Sequence, residues 1–233
     1  MRWRDYFYGW QVKLGRYPSL YYLLFAHRFP YNHMRVTPNT ELCIEGFPRS
    51  ANSYAVVAFK LVNPKVKVAH HLHVPAQVLK SVELHIPTVL LIRAPEDAVT
   101  SFLIFQRSRE VDYYLNLYRK FYETLLPVVD RVLVIDFRLV VGDVNQMIAG
   151  INTRFHRDYA LIEPLDDRKA EILSRLEKYN RQFFGGKVHR SVLPSGERDL
   201  WKAELKVRVE QSPAFSAARN VYSHFYREAL KWE

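Results

Sequence analysis

Four short apolar runs lie along the middle of the chain, and a segment with helical periodicity follows each of them. The runs predict strands at residues 41–46, 66–69, 87–93 and 131–136. The third run, PTVLLIR, is apolar at nearly every position, as expected of a strand that is covered on both faces. Strands that alternate with helices form parallel sheets through right-handed crossovers. The sequence therefore predicts an α/β fold built on a central parallel sheet.

The helical segments and the lack of linkers predict a single domain over residues 1–233. Helices are expected at 50–61, 75–82, 111–125, 144–155, 168–183 and 213–232, with one more beginning at Pro95. Proline suits the first turn of a helix, because its missing N–H has no helical partner there. No repeat, low-complexity stretch or Gly/Ser linker divides the sequence. Within the domain we distinguish an N-terminal segment (1–40), a core (41–137) and a mainly helical part (138–233).

The charge balance and the single cysteine limit the classes of partner and site. The formal net charge of +10 favours anionic ligands, such as a phosphate-rich cofactor, a nucleic acid or a membrane surface. The sequence contains no nucleic-acid-binding motif, so no nucleic-acid partner is expected. Cys43, in an apolar run, is the single cysteine of the sequence, and this excludes an intrachain disulfide and a Cys-based zinc site. These features predict a cytoplasmic protein.

The N-terminal segment combines aromatic and basic side chains. They are Trp3, Tyr6, Phe7, Tyr8, Trp10, Tyr21, Tyr22 and Phe25, together with Arg2, Arg4, Lys13, Arg16 and Arg28. Such a mixture occurs in helices that lie on a lipid interface, and also in helices that pack on their own domain with a basic side in water. The packed helix is the favoured interpretation, and peripheral membrane contact through this segment stays open. No stretch reaches the roughly 20 apolar residues of a membrane span.

A sequence typical of a phosphate-binding loop follows the first predicted strand. It begins at Gly46 and reads GFPRSANSY before the next predicted helix. A strand that turns sharply into a helix presents backbone N–H groups and the positive end of the helix dipole to an anion. Arg49 adds a guanidinium group. Further donors come from Ser50, Asn52 and Ser53.

This loop differs from the nucleoside triphosphate loop GxxxxGK[ST]. The spacing from Gly46 to Ser53 fits that motif. However, Ala51 stands where the motif has glycine, and Asn52 stands where it has lysine. That lysine holds the β- and γ-phosphates, so the loop suits a cofactor without a γ-phosphate.

The loop resembles the 5′-phosphosulfate loop of sulfotransferases that use 3′-phosphoadenosine 5′-phosphosulfate, usually written PKSGTTW. The matching residues are Pro48, Arg49 for lysine, Ser50, Ala51 for glycine, Asn52 and Ser53 for the two threonines, and Tyr54 for the aromatic residue. The resemblance implies a three-layer fold like that of P-loop NTPases, with the cofactor at the carboxyl edge of the sheet. It implies that residues 49–54 bind the cofactor and that Arg49 stabilises charge during transfer. Tyr54 either stacks on adenine or packs in the core.

A second element resembles the family's 3′-phosphate site. The segment VLLIRAPEDAVTS places Arg93 at the end of a buried strand and Ser101 eight residues further on, in the next helix. Arg93 can make a bidentate contact with a phosphate, and Ser101 can add a hydroxyl donor. The resemblance therefore implies that both residues bind the 3′-phosphate.

A third element, HHLHVP at residues 70–75, resembles the cytosolic sulfotransferases' segment of lysine, any residue, catalytic histidine, leucine and proline. His73 falls on the catalytic histidine, and His71 falls on the lysine that stabilises the leaving group. A histidine is only partly charged near neutral pH, so His71 departs from the pattern. Alternation along an extended segment predicts that His71 and His73 lie on one side and His70 on the other. A metal site at this pair is the alternative, but no carboxylate adjoins it, and we expect no metal.

A late basic loop at residues 193–198 is a further candidate. Such a loop often closes over the 3′-phosphate in the sulfotransferase family, and Arg198 or Arg190 would then bind it.

These elements together predict a sulfotransferase that moves a sulfuryl group to a hydroxyl or amine acceptor, with His73 as general base. The acceptor is a small molecule, a lipid or a saccharide. One alternative is a P-loop-like small-molecule kinase, for which Asp136 is the one placed candidate to bind magnesium. The other is a non-catalytic nucleotide-binding relative.

Overall fold

Four parallel strands form the central sheet, which confirms the predicted α/β fold. The computed structural model describes residues 3–26, 31–185, 187, 189, 191 and 196–232. The strands are β1 (Leu42–Gly46), β2 (Val68–His70), β3 (Thr88–Ile92) and β4 (Leu133–Asp136), in the order β2-β1-β3-β4. Every pair of neighbours runs parallel. Strand β2 begins two residues later than predicted, because Lys60 binds the carbonyls of Pro64 and Val66 and holds that stretch as a turn.

Eleven α-helices occur in the described part of the chain. They are α1 (Trp3–Leu14), α2 (Pro18–Leu24), α3 (Asn52–Val62), α4 (Pro75–Glu83), α5 (Pro95–Gln106), α6 (Val111–Glu123), α7 (Phe137–Gly142), α8 (Val144–Phe155), α9 (Leu165–Phe184), α10 (Gly196–Glu210) and α11 (Phe215–Ala229). Short 3₁₀ segments lie at Tyr31–His33, Leu126–Arg131 and Leu230–Trp232. Proline occupies the first turn of α2, α4 and α5, which confirms the prediction for Pro95. The carboxylates of Asp136 and Asp143 accept backbone N–H bonds at the starts of α7 and α8.

Helix α10 corrects the loop that the sequence predicts at residues 193–198. The last three residues of the predicted loop, Gly196 to Arg198, form the first turn of α10. Leu205 and Val209 lie one turn apart on this helix, and Val209 is fully buried in the core that α10 shares with α5. That helical periodicity favours a helix over a closing loop. The remaining positions of the prediction, residues 193–195 and Arg190, lie outside the described residues.

Two apolar cores cover the two faces of the sheet. One core joins β3 and β4 to α1, α4, α5, α6, α10 and α11. The other joins β1, β3 and β4 to α3, α7, α8 and α9. Alternate residues of each strand supply the two cores, as the pleat requires: Leu90 and Ile92 enter the first, and Val89 and Leu91 enter the second. The sheet is therefore the middle of three layers.

The N-terminal helices pack on the first layer, in agreement with the packed-helix interpretation. Val12 of α1 and Tyr21 of α2 are buried, and the Phe7 and Phe25 rings make an edge contact at 5.7 Å between centroids. Gly9 allows α1 to approach α6 closely, because a Cβ on Gly9 would lie 2.0 Å from the Tyr113 hydroxyl. Among the described residues, no helix is both long and apolar enough to cross a membrane.

The strand order creates a crevice at the carboxyl edge of the sheet. From β1 the chain crosses to β2 on one side, and from β2 it returns to β3 on the other. Loops that leave neighbouring strands in opposite directions open a crevice between them, where ligands of parallel sheets bind. Here the crevice lies between β1 and β3. Only glycine fits at the end of β1, because a Cβ on Gly46 would lie 2.4 Å from the Leu91 carbonyl oxygen.

Candidate functional site

Residues from the two predicted phosphate elements lie in direct contact at this crevice. Arg49 Nε donates to Ser101 Oγ at 3.0 Å, and the Arg93 guanidinium donates to the Arg49 carbonyl at 2.9 Å. Aromatic faces hold both guanidiniums, with Arg93 lying 3.9 Å from the Phe137 ring centroid and Arg49 lying 5.4 Å from that of Phe105. The arrangement concentrates two cations and a buried hydroxyl at the place where an anionic ligand would enter.

The backbone around the crevice adopts an uncommon conformation. Four of the seven non-glycine residues with positive φ in the described part of the chain lie here: Arg49 (74°), Ala51 (68°), His71 (61°) and His73 (55°). Each such conformation costs on the order of 1–2 kcal/mol for a residue with a side chain, and such strain gathers at functional sites. Ala51, at the motif position of a glycine, thus has a left-handed backbone that glycine adopts without a steric cost.

The start of α3 suits an anion. Its N-cap residue is Ala51, which offers no side-chain bond to the first-turn N–H groups. Asn52 is 3% exposed and donates its side-chain amide to the Phe47 carbonyl at 3.2 Å, so it holds the loop closed. Its Oδ1 has no hydrogen-bond partner within the described residues. Ser50 is fully buried, and Tyr54 packs its half-buried ring against the second core. These residues fit a loop that binds an anion through its backbone and Arg49.

His73 sits against a buried carboxylate that the motifs did not indicate. Glu45, the fourth residue of β1, is 0% exposed and points to the face of the sheet that α4 covers. Its Oε1 lies 3.3 Å from His73 Nδ1. Its two oxygens accept the backbone N–H groups of Gly46, Leu72 and His73 at 2.9–3.2 Å. Burial of a carboxylate is tolerable because these donors replace the water it loses.

These contacts assign the proton of the neutral His73 ring. The Gly46 carbonyl lies 2.9 Å from Nδ1, and a carbonyl oxygen only accepts, so Nδ1 carries the hydrogen. Nε2 is then the basic nitrogen. Burial alone would lower the pKa of His73, but the Glu45 carboxylate and the Gly46 carbonyl outweigh it and raise the pKa above its usual value. His73 is thus built to accept a proton at Nε2 and to carry the resulting charge.

The N-terminal segment and α4 hold this pair in place. Gln77 is fully buried and donates to Glu45 Oε2 at 3.2 Å. Its Oε1 accepts from the Val36 N–H at 3.1 Å and from the Tyr22 hydroxyl at 3.2 Å. The Tyr8 hydroxyl of α1 donates to the His73 carbonyl at 3.1 Å. Tyr8, Tyr22 and Val36 of the N-terminal segment therefore support the candidate base.

The histidine cluster corrects one expectation. His70 does not point away from His71; the two Nδ1 atoms lie 2.7 Å apart. The left-handed backbone of His71 breaks the alternation on which that expectation depended. His71 Nε2 is also 2.9 Å from Ser53 Oγ, and its ring centroid is 5.4 Å from that of His73. Burial and its two histidine neighbours lower the pKa of His71 well below its usual value, so this ring is neutral near pH 7.

Asp136, the candidate magnesium ligand of the kinase alternative, is occupied by protein donors. It is 2% exposed, its Oδ1 accepts from the Arg138 N–H at 2.9 Å and from Arg138 Nε at 3.0 Å, and its Oδ2 accepts from the Tyr222 hydroxyl at 2.9 Å. Among the described residues, no group of three or more His, Cys, Asp or Glu side chains is arranged to hold a metal ion. Arg198 lies in α10, as described above.

The neutral histidines predict acid lability. Burial lowers the pKa of His70 to about 4, whereas the unfolded chain takes up that proton near the usual value of 6.5. The free energy of unfolding should therefore fall as the pH is lowered from about 6.5 to about 4, by roughly 1.4 kcal/mol per pH unit for each such histidine. In His70→Asn the pH dependence of the free energy of unfolding should be smaller by about 1.4 kcal/mol per pH unit, the contribution of one proton. Urea unfolding at several pH values measures it, with the exposed His224→Asn as the matched control, and an unchanged slope in His70→Asn would contradict the assignment.

The crevice thus gathers a loop suited to an anion, two arginines and the candidate base His73 with its buried carboxylate partner. The sequence motifs indicated Arg49, Arg93, Ser101 and His73, and the structure brings them to one edge. The signal for Glu45 was an acidic residue in an otherwise apolar strand directly before the loop. Neither the models of known protein families nor the curated proteins match this chain.

Proposed function

We propose that the protein is a sulfotransferase that moves a sulfuryl group from 3′-phosphoadenosine 5′-phosphosulfate to a hydroxyl or amine acceptor. The observation that carries the proposal is the contact between two separate phosphate motifs: Arg49 binds Ser101 at 3.0 Å, and Arg93 binds the Arg49 carbonyl at 2.9 Å. A cofactor with phosphate at both the 3′ and 5′ positions needs two anion sites close together. The crevice between β1 and β3 brings Arg49 and Arg93 together at the edge where parallel sheets bind ligands, which supports the proposal.

His73 is the general base of the proposed reaction. The cofactor supplies the sulfuryl group: the bond from the acceptor oxygen or nitrogen to sulfur forms while the bond from sulfur to the phosphate oxygen breaks. His73 Nε2 takes the acceptor's proton, because Nδ1 is already committed to Gly46. The Glu45 carboxylate, 3.3 Å from Nδ1, stabilises the imidazolium that results.

Arg49 and the start of α3 stabilise negative charge on the transferring and leaving groups. In the cytosolic sulfotransferases a lysine two residues before the catalytic histidine stabilises the leaving group. His71 takes that position here, and its ring is neutral near pH 7. A neutral ring donates one hydrogen bond at most, so the cationic share of the work rests on Arg49 and Arg93. The kinase alternative has no comparable support, since Asn52 replaces the loop lysine and Asp136 is occupied.

Glu45 should set the pH dependence of turnover. Because Glu45 raises the pKa of His73, the base is lost as the pH falls through a value above 6.5. In Glu45→Gln the pKa of His73 should fall, and the acidic limb of the kcat/KM profile should move to lower pH. A purely structural role would not move that limb. NMR titration of the His73 ring in both proteins checks the same shift, with the exposed Glu83→Gln as control, and an unmoved His73 titration would remove Glu45 from this role.

Acceptor-dependent release of 3′-phosphoadenosine 5′-phosphate tests the proposed function. The protein is incubated with 3′-phosphoadenosine 5′-phosphosulfate and with representative phenols, long-chain alcohols, amines and saccharides, and the nucleotide product is quantified. We expect at least one acceptor class to raise product release well above the rate without acceptor. Cofactor binding without release for any class would instead support the non-catalytic relative.

A further inference from the structure

Helices α1 and α2 with the turn between them, here called the N-terminal hairpin, present large apolar side chains to solvent. These are Tyr6, Phe7, Trp10, Tyr17, Leu20, Leu23 and Leu24. They make up seven of the thirteen exposed large apolar side chains in the described part of the chain, within a stretch of 19 residues. Trp10 is 60% exposed and Leu23 is 73% exposed. Scattered exposed apolar side chains are ordinary, but such a concentration marks an interaction surface.

Helical spacing places these side chains on faces that do not pack on the domain. Tyr6, Trp10 and Lys13 follow one another at intervals of four and three residues in α1, and all three are exposed. In α2, Leu23 and Leu24 lie three and four residues after Leu20, and all three are exposed, while Tyr21 is buried. Each helix therefore has one apolar face in the core and a second apolar face in water. Packing of the domain explains the first face and not the second.

Basic side chains flank this surface and line a groove beside it. A cavity of about 910 Å³ lies where the turn of the N-terminal hairpin meets α4 and the end of α6. Trp10, Tyr17, Lys13, Arg16 and Lys120 line it. Its one acidic lining residue, Glu123, is paired with Arg119. Anionic groups at this surface would thus meet three cations beside two aromatic rings.

We infer that the N-terminal hairpin binds the surface of an anionic phospholipid bilayer. Aromatic and leucine side chains enter the boundary between headgroups and acyl chains, as they do in interfacial amphipathic helices. Lys13, Arg16 and Lys120 lie against the lipid phosphates. A second copy of the chain fits less well, because two surfaces flanked by lysine and arginine on a chain of net charge +10 would repel each other. The inference is independent of the proposed transfer reaction.

Vesicle binding by the full chain tests this inference. The protein is sedimented with vesicles of phosphatidylcholine alone and with vesicles containing phosphatidylglycerol, at about 0.1 M salt. We expect binding to the anionic vesicles that is at least about 10-fold tighter than to the neutral ones. Trp10→Ser with Leu23→Ser should weaken binding at least about 10-fold through lost apolar burial. Lys13→Gln with Arg16→Gln should weaken it on the order of 30-fold, at about 1 kcal/mol for each cation.

Matched controls separate this surface from general effects. Leu173→Ser with Trp201→Ser removes two exposed apolar side chains elsewhere, and Lys65→Gln with Lys67→Gln removes two exposed cations elsewhere. Both control pairs should bind vesicles within about threefold of the unmodified protein, because screening limits distant charges. No binding to anionic vesicles, equal binding to neutral vesicles, or equal losses in the control pairs would overturn the inference. A dimer that Trp10→Ser with Leu23→Ser dissociates, without vesicle binding, would also overturn it.

Discussion

Replacing His73 with alanine is expected to lower turnover by about 10²- to 10⁴-fold while leaving affinity for 3′-phosphoadenosine 5′-phosphate nearly unchanged. The loss in rate follows from the position of Nε2, which is left basic by the Nδ1 contacts with Gly46 and Glu45. The unchanged affinity follows because the product nucleotide lacks the transferring group. The change thus separates a role in chemistry from a role in binding.

Turnover with a working acceptor and calorimetric affinity for the product nucleotide are measured on the same purified variant. The exposed His224→Ala serves as the matched control and should leave both quantities unchanged. Near-normal turnover in His73→Ala would remove this residue from the mechanism. Loss of both turnover and affinity would mean that His73 holds the crevice together. Its left-handed backbone and the bond from the Tyr8 hydroxyl to its carbonyl make this the structural alternative to a catalytic role.

Arg93→Ala should weaken binding of 3′-phosphoadenosine 5′-phosphate by roughly 1.5–3 kcal/mol, or about 10- to 150-fold. A guanidinium that contacts a phosphate makes charge-assisted hydrogen bonds of this strength. Arg93 also donates to the Arg49 carbonyl, so its loss can loosen the phosphate loop without any contact with ligand. A comparison of ligands with and without the 3′-phosphate separates loss of the phosphate contact from loosening of the loop.

Adenosine 5′-phosphosulfate, which lacks the 3′-phosphate, provides that separation. If Arg93 binds the 3′-phosphate, the unmodified protein should prefer the 3′-phosphorylated nucleotide, and Arg93→Ala should lose most of that preference. Ser101→Ala should lose part of it, because in the proposed site Ser101 adds a hydroxyl donor to the same 3′-phosphate. An equal loss of affinity for both nucleotides in Arg93→Ala would show that Arg93 acts on the loop alone. The exposed Arg175→Ala is the control.

Local patterns in the sequence were sufficient to predict the sheet and the turn from β1 into α3 that the proposed phosphate loop occupies. Each strand is a short apolar run, and the run-to-helix junctions at Gly46 and Arg93 carry polar residues that an apolar core does not require. Because parallel strands end at one edge, these junctions had to lie near each other. The contact between Arg49 and Ser101 is the three-dimensional consequence of that rule.

The support of the candidate base could not be predicted in the same way. Glu45 meets His73 and Gln77 across 28 and 32 residues of sequence, and no local periodicity encodes such a contact. The alternation rule failed at His70 because it assumes an extended backbone, whereas His71 is left-handed. The loop predicted at residues 193–198 was wrong at Gly196 to Arg198, because the helical spacing of Leu205 and Val209 favours a helix there. Each failure comes from long-range packing or from a backbone conformation that residue type alone does not specify.

A thermal-shift comparison of nucleotides tests the central claim most directly. At about 100 times its dissociation constant, a ligand that binds only the folded protein adds roughly 2.7 kcal/mol of stability. For a chain of this size that corresponds to a rise in Tm of about 5–10 °C. We expect 3′-phosphoadenosine 5′-phosphate to produce such a shift and ATP with magnesium, at the same concentration, to produce little or none. A larger shift with ATP and magnesium than with 3′-phosphoadenosine 5′-phosphate would contradict the sulfotransferase account and favour the kinase alternative.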